Sequence, residues 1–168
     1  LVHIYSHGYM EGDGGYSLAP MDHAMGQSAA GAVAYAYVPV SLDATAQPLA
    51  VQRLLGGAWQ SPDVIADSNH HRGTTAIVSL GGDDWMVMWS QSNLAADGLS
   101  GLSGDQIVAE QELWYSVRSG GTWSAPVQLT SDGLGDDSPS LVRRSDGTVV
   151  AAWRRMAGTD VSDGSLSD

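Results

Sequence analysis

Three stretches of this chain carry side chains that could do chemistry. Asn69-His70-His71-Arg72 sets two imidazoles beside a guanidinium. His7, Glu11 and Asp13 form a looser cluster near the start, and Asp132, Asp136 and Asp137 crowd a glycine-rich stretch. Arginine pairs bidentately with a substrate carboxylate, while His, Asp and Glu can move protons. Brought together, such groups would serve carbohydrate chemistry.

Each stretch also has a plainer explanation. Residues 69–72 read as a solvated polar loop, on which histidine titrates freely and needs no partner. Adjacent histidines on a strand point to opposite faces, which argues against His70 and His71 as a joint metal pair. Residues 131–137 and 159–164 are acidic and glycine-rich, and hard oxygen donors suit calcium, with Asp132 and Asp136 as candidate ligands. Neither stretch follows an Asp-x-Asp-x-Asp-Gly spacing, and Asp and Gly are good turn residues, so turns are the preferred reading. No other cofactor is indicated.

The elements that must position these residues are visible as a repeat. Leu49 to Trp89 lies over Leu113 to Trp153 without a gap, 64 positions apart. Gly56-Gly57-Ala58-Trp59 falls on Gly120-Gly121-Thr122-Trp123, Pro62 on Pro126, and Trp89 on Trp153. Short alternating segments repeated at this period point to stacked β modules such as propeller blades. Trp59, Trp89, Trp123 and Trp153 recur at equivalent positions, which predicts a packing role. Trp85 shares the apolar face of Trp89 and reads as buried; Trp114 does not recur and could be exposed for sugar stacking.

Composition agrees with strands and turns: glycine is abundant, and Phe and Cys are absent. All seven cations are arginine and the net charge is −12, which argues against a nucleic-acid partner because a phosphate backbone needs a basic face. Absence of cysteine removes disulfides and thiol chemistry. No apolar run approaches the roughly 20 residues of a membrane span. The start at Leu1 suggests a mature product or a fragment.

Residues 112–118 alternate and read as a strand, followed by the Ser119-Gly120-Gly121 hairpin turn. Residues 122–130 return, with Pro126 marking an edge position. A polar loop at 131–138 leads to the pair 139–144 and 148–155, joined by Ser145-Asp146-Gly147. The first part fits less well: an outer strand at 1–6, a loop at 7–18, then the pair 19–25 and 32–38. The units are 1–54 (degenerate), 55–118 and 119–168 (incomplete). About eleven strands make fewer than three four-stranded antiparallel blades, so the expected fold is all-β with an open ring.

Ser116-Val-Arg-Ser-Gly-Gly-Thr-Trp123 resembles the Asp-box, Ser-x-Asp-x-Gly-x-Thr-Trp, of sialidase-type (BNR-repeat) β-propellers. Ser116, Gly120, Thr122 and Trp123 match; Arg118 stands where the Asp belongs. Residues 138–153 are similar to the inner strand pair of such repeats. The resemblance covers residues 48–155 and implies sialidase-like blades in a secreted or cell-surface bacterial protein. The box itself is a structural hairpin remote from catalysis, so the missing Asp bears on the turn's hydrogen bonds. The family's ligand face implies that the loops 7–18, 41–47, 66–74, 91–109 and 130–138 share one side. That would gather His7, Glu11, Asp13, His70, His71, Arg72, Asp132, Asp136 and Asp137 there. No motif fixes an arginine triad among Arg72, Arg143 and Arg144, and none of the three Glu residues sits in the context of the family's nucleophile pair.

The leading expectation is a non-catalytic extracellular module that binds carbohydrate or a protein partner through its loop face. One alternative is a fragment of a sialidase-like glycoside hydrolase or polysaccharide lyase with His70, His71 or Arg72 at its centre. Another is a structural repeat whose ring is completed by the rest of a longer chain or by homo-oligomerisation.

Overall fold

The computed structural model of the protein describes residues 23–38, 48–66, 70–95, 98 and 101–156. Among these residues lie twelve strands and one short helix, an all-β architecture of antiparallel pairs. The segment 1–6 and the loops 7–18, 41–47 and 159–164, with His7, Glu11 and Asp13, lie outside the described residues.

The first sheet runs β1 (His23–Gln27), β2 (Val33–Tyr37), β3 (Leu49–Leu55), with the short β4 (Ala58–Trp59) and β5 (Asp63–Ala66) both on β3. The second runs β6 (His70–Gly81), β7 (Asp84–Ala95), β8 (Gln111–Ser119), with β9 (Thr122–Trp123) and β10 (Val127–Gln128) on β8. The third has two strands, β11 (Gly135–Arg143) and β12 (Val149–Met156). The outer strand of the first sheet is split around Pro62 and that of the second around Pro126. A proline there removes no ladder bond the sheet needs, because that edge has no further partner among the described residues.

The sequence echo is a register echo. Ile77 pairs Val87 and Leu141 pairs Ala151; Arg72 pairs Gln91 and Asp136 pairs Arg155; Leu54 pairs Trp59 and Arg118 pairs Trp123. Each second pair lies 64 positions beyond the first. The β1–β2 pair follows the same register 52 positions before β6–β7, with Gln27 opposite Val33 where Ser79 opposes Trp85. The offset changes because Val33 is 21 positions from its partner Leu54, whereas Trp85 is 33 positions from its partner Arg118. The 12 extra residues prolong β7 and β8 beyond the equivalent register and lengthen the connection between them, which carries α1 (Gly104–Ala109). That helix sits inside a stretch expected to be all loop. Its start is set by a capping box, Ser103 accepting from the Gln106 amide while the Gln106 side chain accepts from the Ser103 amide.

The main core lies between the first two sheets: Ala34, Ala36, Leu49, Val51 and Ile65 meet Ile77, Trp85, Val87 and Trp89. Alternation along β7 sends Trp85, Val87 and Trp89 to one face, and all three are fully buried. Trp123 and Trp114 pack partly against this cluster. Trp59 and Trp153 depart from expectation, being 38% and 39% exposed. Repeat-equivalent sites share backbone geometry but not neighbours: Trp89 lies between two sheets, whereas β12 has no third strand beside it among the described residues. Both double-glycine turns adopt the expected positive φ, 58° and 82° at Gly56-Gly57 and 59° and 95° at Gly120-Gly121. No helix among the described residues is long and apolar enough to cross a membrane.

Candidate functional site

Strand direction brings one end of the second and third sheets together. β6 begins there with His70, Arg72 and Gly73, and β7 ends there with Ser90, Gln91 and Ser92. β8 begins with Gln111 and Glu112, β11 with Asp136 and Asp137, and β12 ends with Arg154 and Arg155. The loops expected at 66–74 and 130–138 are shorter than anticipated. His70, His71 and Arg72 lie in β6, and Asp136 and Asp137 in β11, because both strands run on past the bulges in their registers.

His70, His71 and Arg72 do not converge. His70 Nδ1 lies 2.9 Å from the Ser92 carbonyl oxygen, which can only accept, so Nδ1 carries the proton. His71 points to the other face and is exposed, whereas Arg72 is buried. The two imidazoles therefore do not form a joint ligand pair.

The carboxylates do gather, at the junction of the second and third sheets. One oxygen from each of Glu112, Asp132 and Asp136 lies within 4.8 Å of the others. Glu112 and Asp136 are buried; Asp132, on the loop before β11, is exposed. Arg155 enters this group from β12. Its Nε and a terminal nitrogen grip the two Asp136 oxygens at 2.9 and 3.1 Å, and the same terminal nitrogen reaches Asp132 Oδ2 at 2.8 Å. Trp153 Nε1 donates to Asp136 Oδ1 at 3.0 Å. Burial pushes the Asp136 carboxyl up. The Arg155, Thr130 and Trp153 hydrogen bonds, with the Arg155 charge, outweigh it, and the group titrates below its ordinary value. The Asp136 hydrogen bond in turn raises the Arg155 guanidinium. Glu112 Oε1 accepts the Asp132 amide at 3.2 Å, while its buried Oε2 has no hydrogen-bond donor among the described residues.

Asp137 serves a different purpose. Its Oδ1 accepts the Thr74 hydroxyl and the Ser90 hydroxyl, the latter at 2.7 Å, and Thr74 Oγ1 accepts the Ser138 amide at 2.7 Å. Burial pushes this carboxyl up as well. The Thr74 and Ser90 hydroxyls, the Ser138 amide and the Arg154 charge prevail, and it titrates below its ordinary value. Ser138 holds φ at 55°, the left-handed region, at the bulge that lets Asp137 reach β6 and β7. Gly73 makes room for this contact, since a Cβ there would stand 2.5 Å from Ser90 Oγ.

Of the residues anticipated from sequence, Asp132 and Asp136 meet and Asp137 lies beside them, bonded elsewhere. Glu112, Arg155 and Trp153 were not anticipated as members. One signal was present: in the internal alignment Glu112 falls on Pro48, Asp136 on Arg72 and Arg155 on Gln91, so the cluster marks where the repeat departs from itself. The turn of the stretch 116–123, which has Arg118 in place of an Asp, has its own hydrogen bonds. Arg118 donates to the Gly121 carbonyl at 3.1 Å, and Asp84 of the neighbouring hairpin accepts the Gly120 amide at 3.2 Å. No protein-family model matches the chain, and no curated protein matches it significantly.

Proposed function

We propose that this chain is a run of sialidase-like propeller blades, acting as a non-catalytic binding module whose loop-bearing end takes carbohydrate. One observation carries the reading. Pairing register recurs from sheet to sheet, while the residues at the loop-bearing end are exchanged: Arg72 for Asp136, Gln91 for Arg155, Pro48 for Glu112. A scaffold that repeats its backbone and varies one rim is the usual way a rigid fold acquires a binding surface. Around that rim stand the half-exposed Trp153 indole, exposed Arg154 and exposed His71, which supply a stacking plane and hydrogen-bond donors.

The test is a binding screen of the protein against sialosides, uronic-acid oligosaccharides and neutral glycans. Binding that disappears in Trp153→Ala and survives His70→Ala with His71→Ala supports the module. Hydrolysis or lytic cleavage of a sialoside or uronic-acid polymer, lost in the two histidine variants, would replace it with the enzyme reading. Capture of a protein partner without glycan binding would replace carbohydrate as the ligand.

A second reading, ring completion by further blades or further copies, rests on the third sheet. Val142 is 58% exposed and Val150 is also exposed, whereas their equivalents Val78 and Met86 in the second sheet are half-buried. Native mass spectrometry tests it: a closed oligomer supports assembly from copies, and a monomer removes that form of the reading.

A further inference from the structure

We propose that Glu112, Asp132 and Asp136 bind a divalent hard cation of the calcium class at the junction of the second and third sheets. The inference goes beyond the carbohydrate reading and stands independently of it.

The donor geometry suits a single ion. Calcium takes oxygen ligands at about 2.3–2.6 Å, so two ligands on opposite sides of one ion are up to about 5 Å apart. The three carboxylate oxygens lie within 4.8 Å of one another. They need only small side-chain adjustments to share a centre.

The buried member of the set lacks a partner. Glu112 is 1% exposed, and among the described residues its Oε2 receives no hydrogen bond while Oε1 is occupied by the Asp132 amide. A carboxylate oxygen withdrawn from water and left unpaired is strongly unfavourable, and a cation is the partner that relieves it. The charge count agrees. Among the ion pairs of the described residues, three carboxylates meet one guanidinium, that of Arg155, leaving two negative charges in excess within the cluster. A divalent ion neutralises that excess.

The repeat does not call for these acids: at the equivalent places 64 positions earlier the sequence has Pro48, Ser68 and Arg72. Arg155 is the resident counter-charge, but its side chain is 44% exposed and so free to yield ligand oxygens by turning to solvent. Asp132, on a loop and 42% exposed, gives the ion its way in. Ligands of carboxylate type on a loop able to adjust favour calcium over magnesium, which demands near-ideal octahedral geometry.

Calcium chloride titrated into the chelator-treated 168-residue chain, read by calorimetry and thermal melting, tests the site. One ion per chain and a raised melting temperature are expected, with a weaker response to magnesium. Glu112→Gln and the surface variant Asp132→Asn should both lose the response while remaining folded by circular dichroism. Arg155→Gln should retain or tighten binding, since it removes the competing cation. No calcium response in the parent chain overturns the proposal, as does a response that persists unchanged in both carboxylate variants. Loss of binding in Arg155→Gln would also overturn it, because Arg155 would then be holding the fold rather than competing for the ligands.

Discussion

The two ends of the sheets treat buried charge differently. At the hairpin-turn end, Arg53 of β3 and Arg118 of β8 meet Asp63 of β5 and Asp83 of the β6–β7 turn. Arg53 reaches both aspartates, Arg118 holds Asp83 at 2.8 Å, and the Trp85 and Trp123 indoles donate to Asp83 and Asp63. Two cations balance two anions, and the network ties the first sheet to the second. At the opposite end the cluster of Glu112, Asp132 and Asp136 meets one guanidinium among the described residues, that of Arg155. A balanced network is complete and works as a fastener, while an unbalanced one leaves an anionic oxygen wanting a partner. The same residue types thus serve architecture in one place and offer a ligand site in the other.

The contrast can be broken most forcefully at Asp83. Asp83→Ala leaves two buried guanidiniums short of their shared partner. With the Asp83 side chain 35% exposed, the loss should be about 2–4 kcal/mol, somewhat under that of a fully buried pair. Urea unfolding measures it, and a loss no larger than that of an ordinary surface substitution would remove the fastener role. The calcium response at the other end should survive the change.

A smaller loss is expected at Gly73. Gly73→Ala drives a methyl into the Ser90 hydroxyl and separates it from Asp137, for about 1–3 kcal/mol by the same measurement. An unchanged midpoint would mean that β7 gives way freely.

Acid sharpens the comparison further. Asp136 and Asp137 titrate below the ordinary 3.8 in the folded chain. The stability they contribute is therefore fully present above that value and is lost as pH falls through their folded values. Unfolding midpoints in chelator should decline below about pH 4. Asp137→Asn should flatten that decline while lowering stability at neutral pH; an unaltered acid limb would detach Asp137 from it.

The smallest effect has the opposite sign. In chelator, Glu112→Gln should match the parent or exceed it by up to about 1 kcal/mol, since an amide replaces an unpaired anion and can donate to the aspartates. A marked destabilisation would show that the Glu112 charge is already compensated.

Much of the backbone was legible in the chain. The 64-position echo, the double-glycine turns and the edge position of Pro126 were readable, because alternation, φ preference and a missing N–H are local properties of residue types; the division of the expected strand 122–130 into β9 and β10 was not. Side-chain fate was less legible. Trp89 and Trp153 are equivalent by sequence, yet one is buried and the other half-exposed, because burial depends on whether a neighbouring strand and sheet stand alongside. The run His70-His71-Arg72 drew attention by composition, but strand alternation spreads its side chains over opposite faces. The carboxylate cluster unites positions 112, 132, 136 and 155, which no local pattern links; strand pairing and sheet contact alone bring them together. By itself, then, the sequence determined an all-β repeat and its register, through short-range backbone chemistry. Only the tertiary structure decided which charges balance and which are left over, since that depends on distances between segments far apart in the chain.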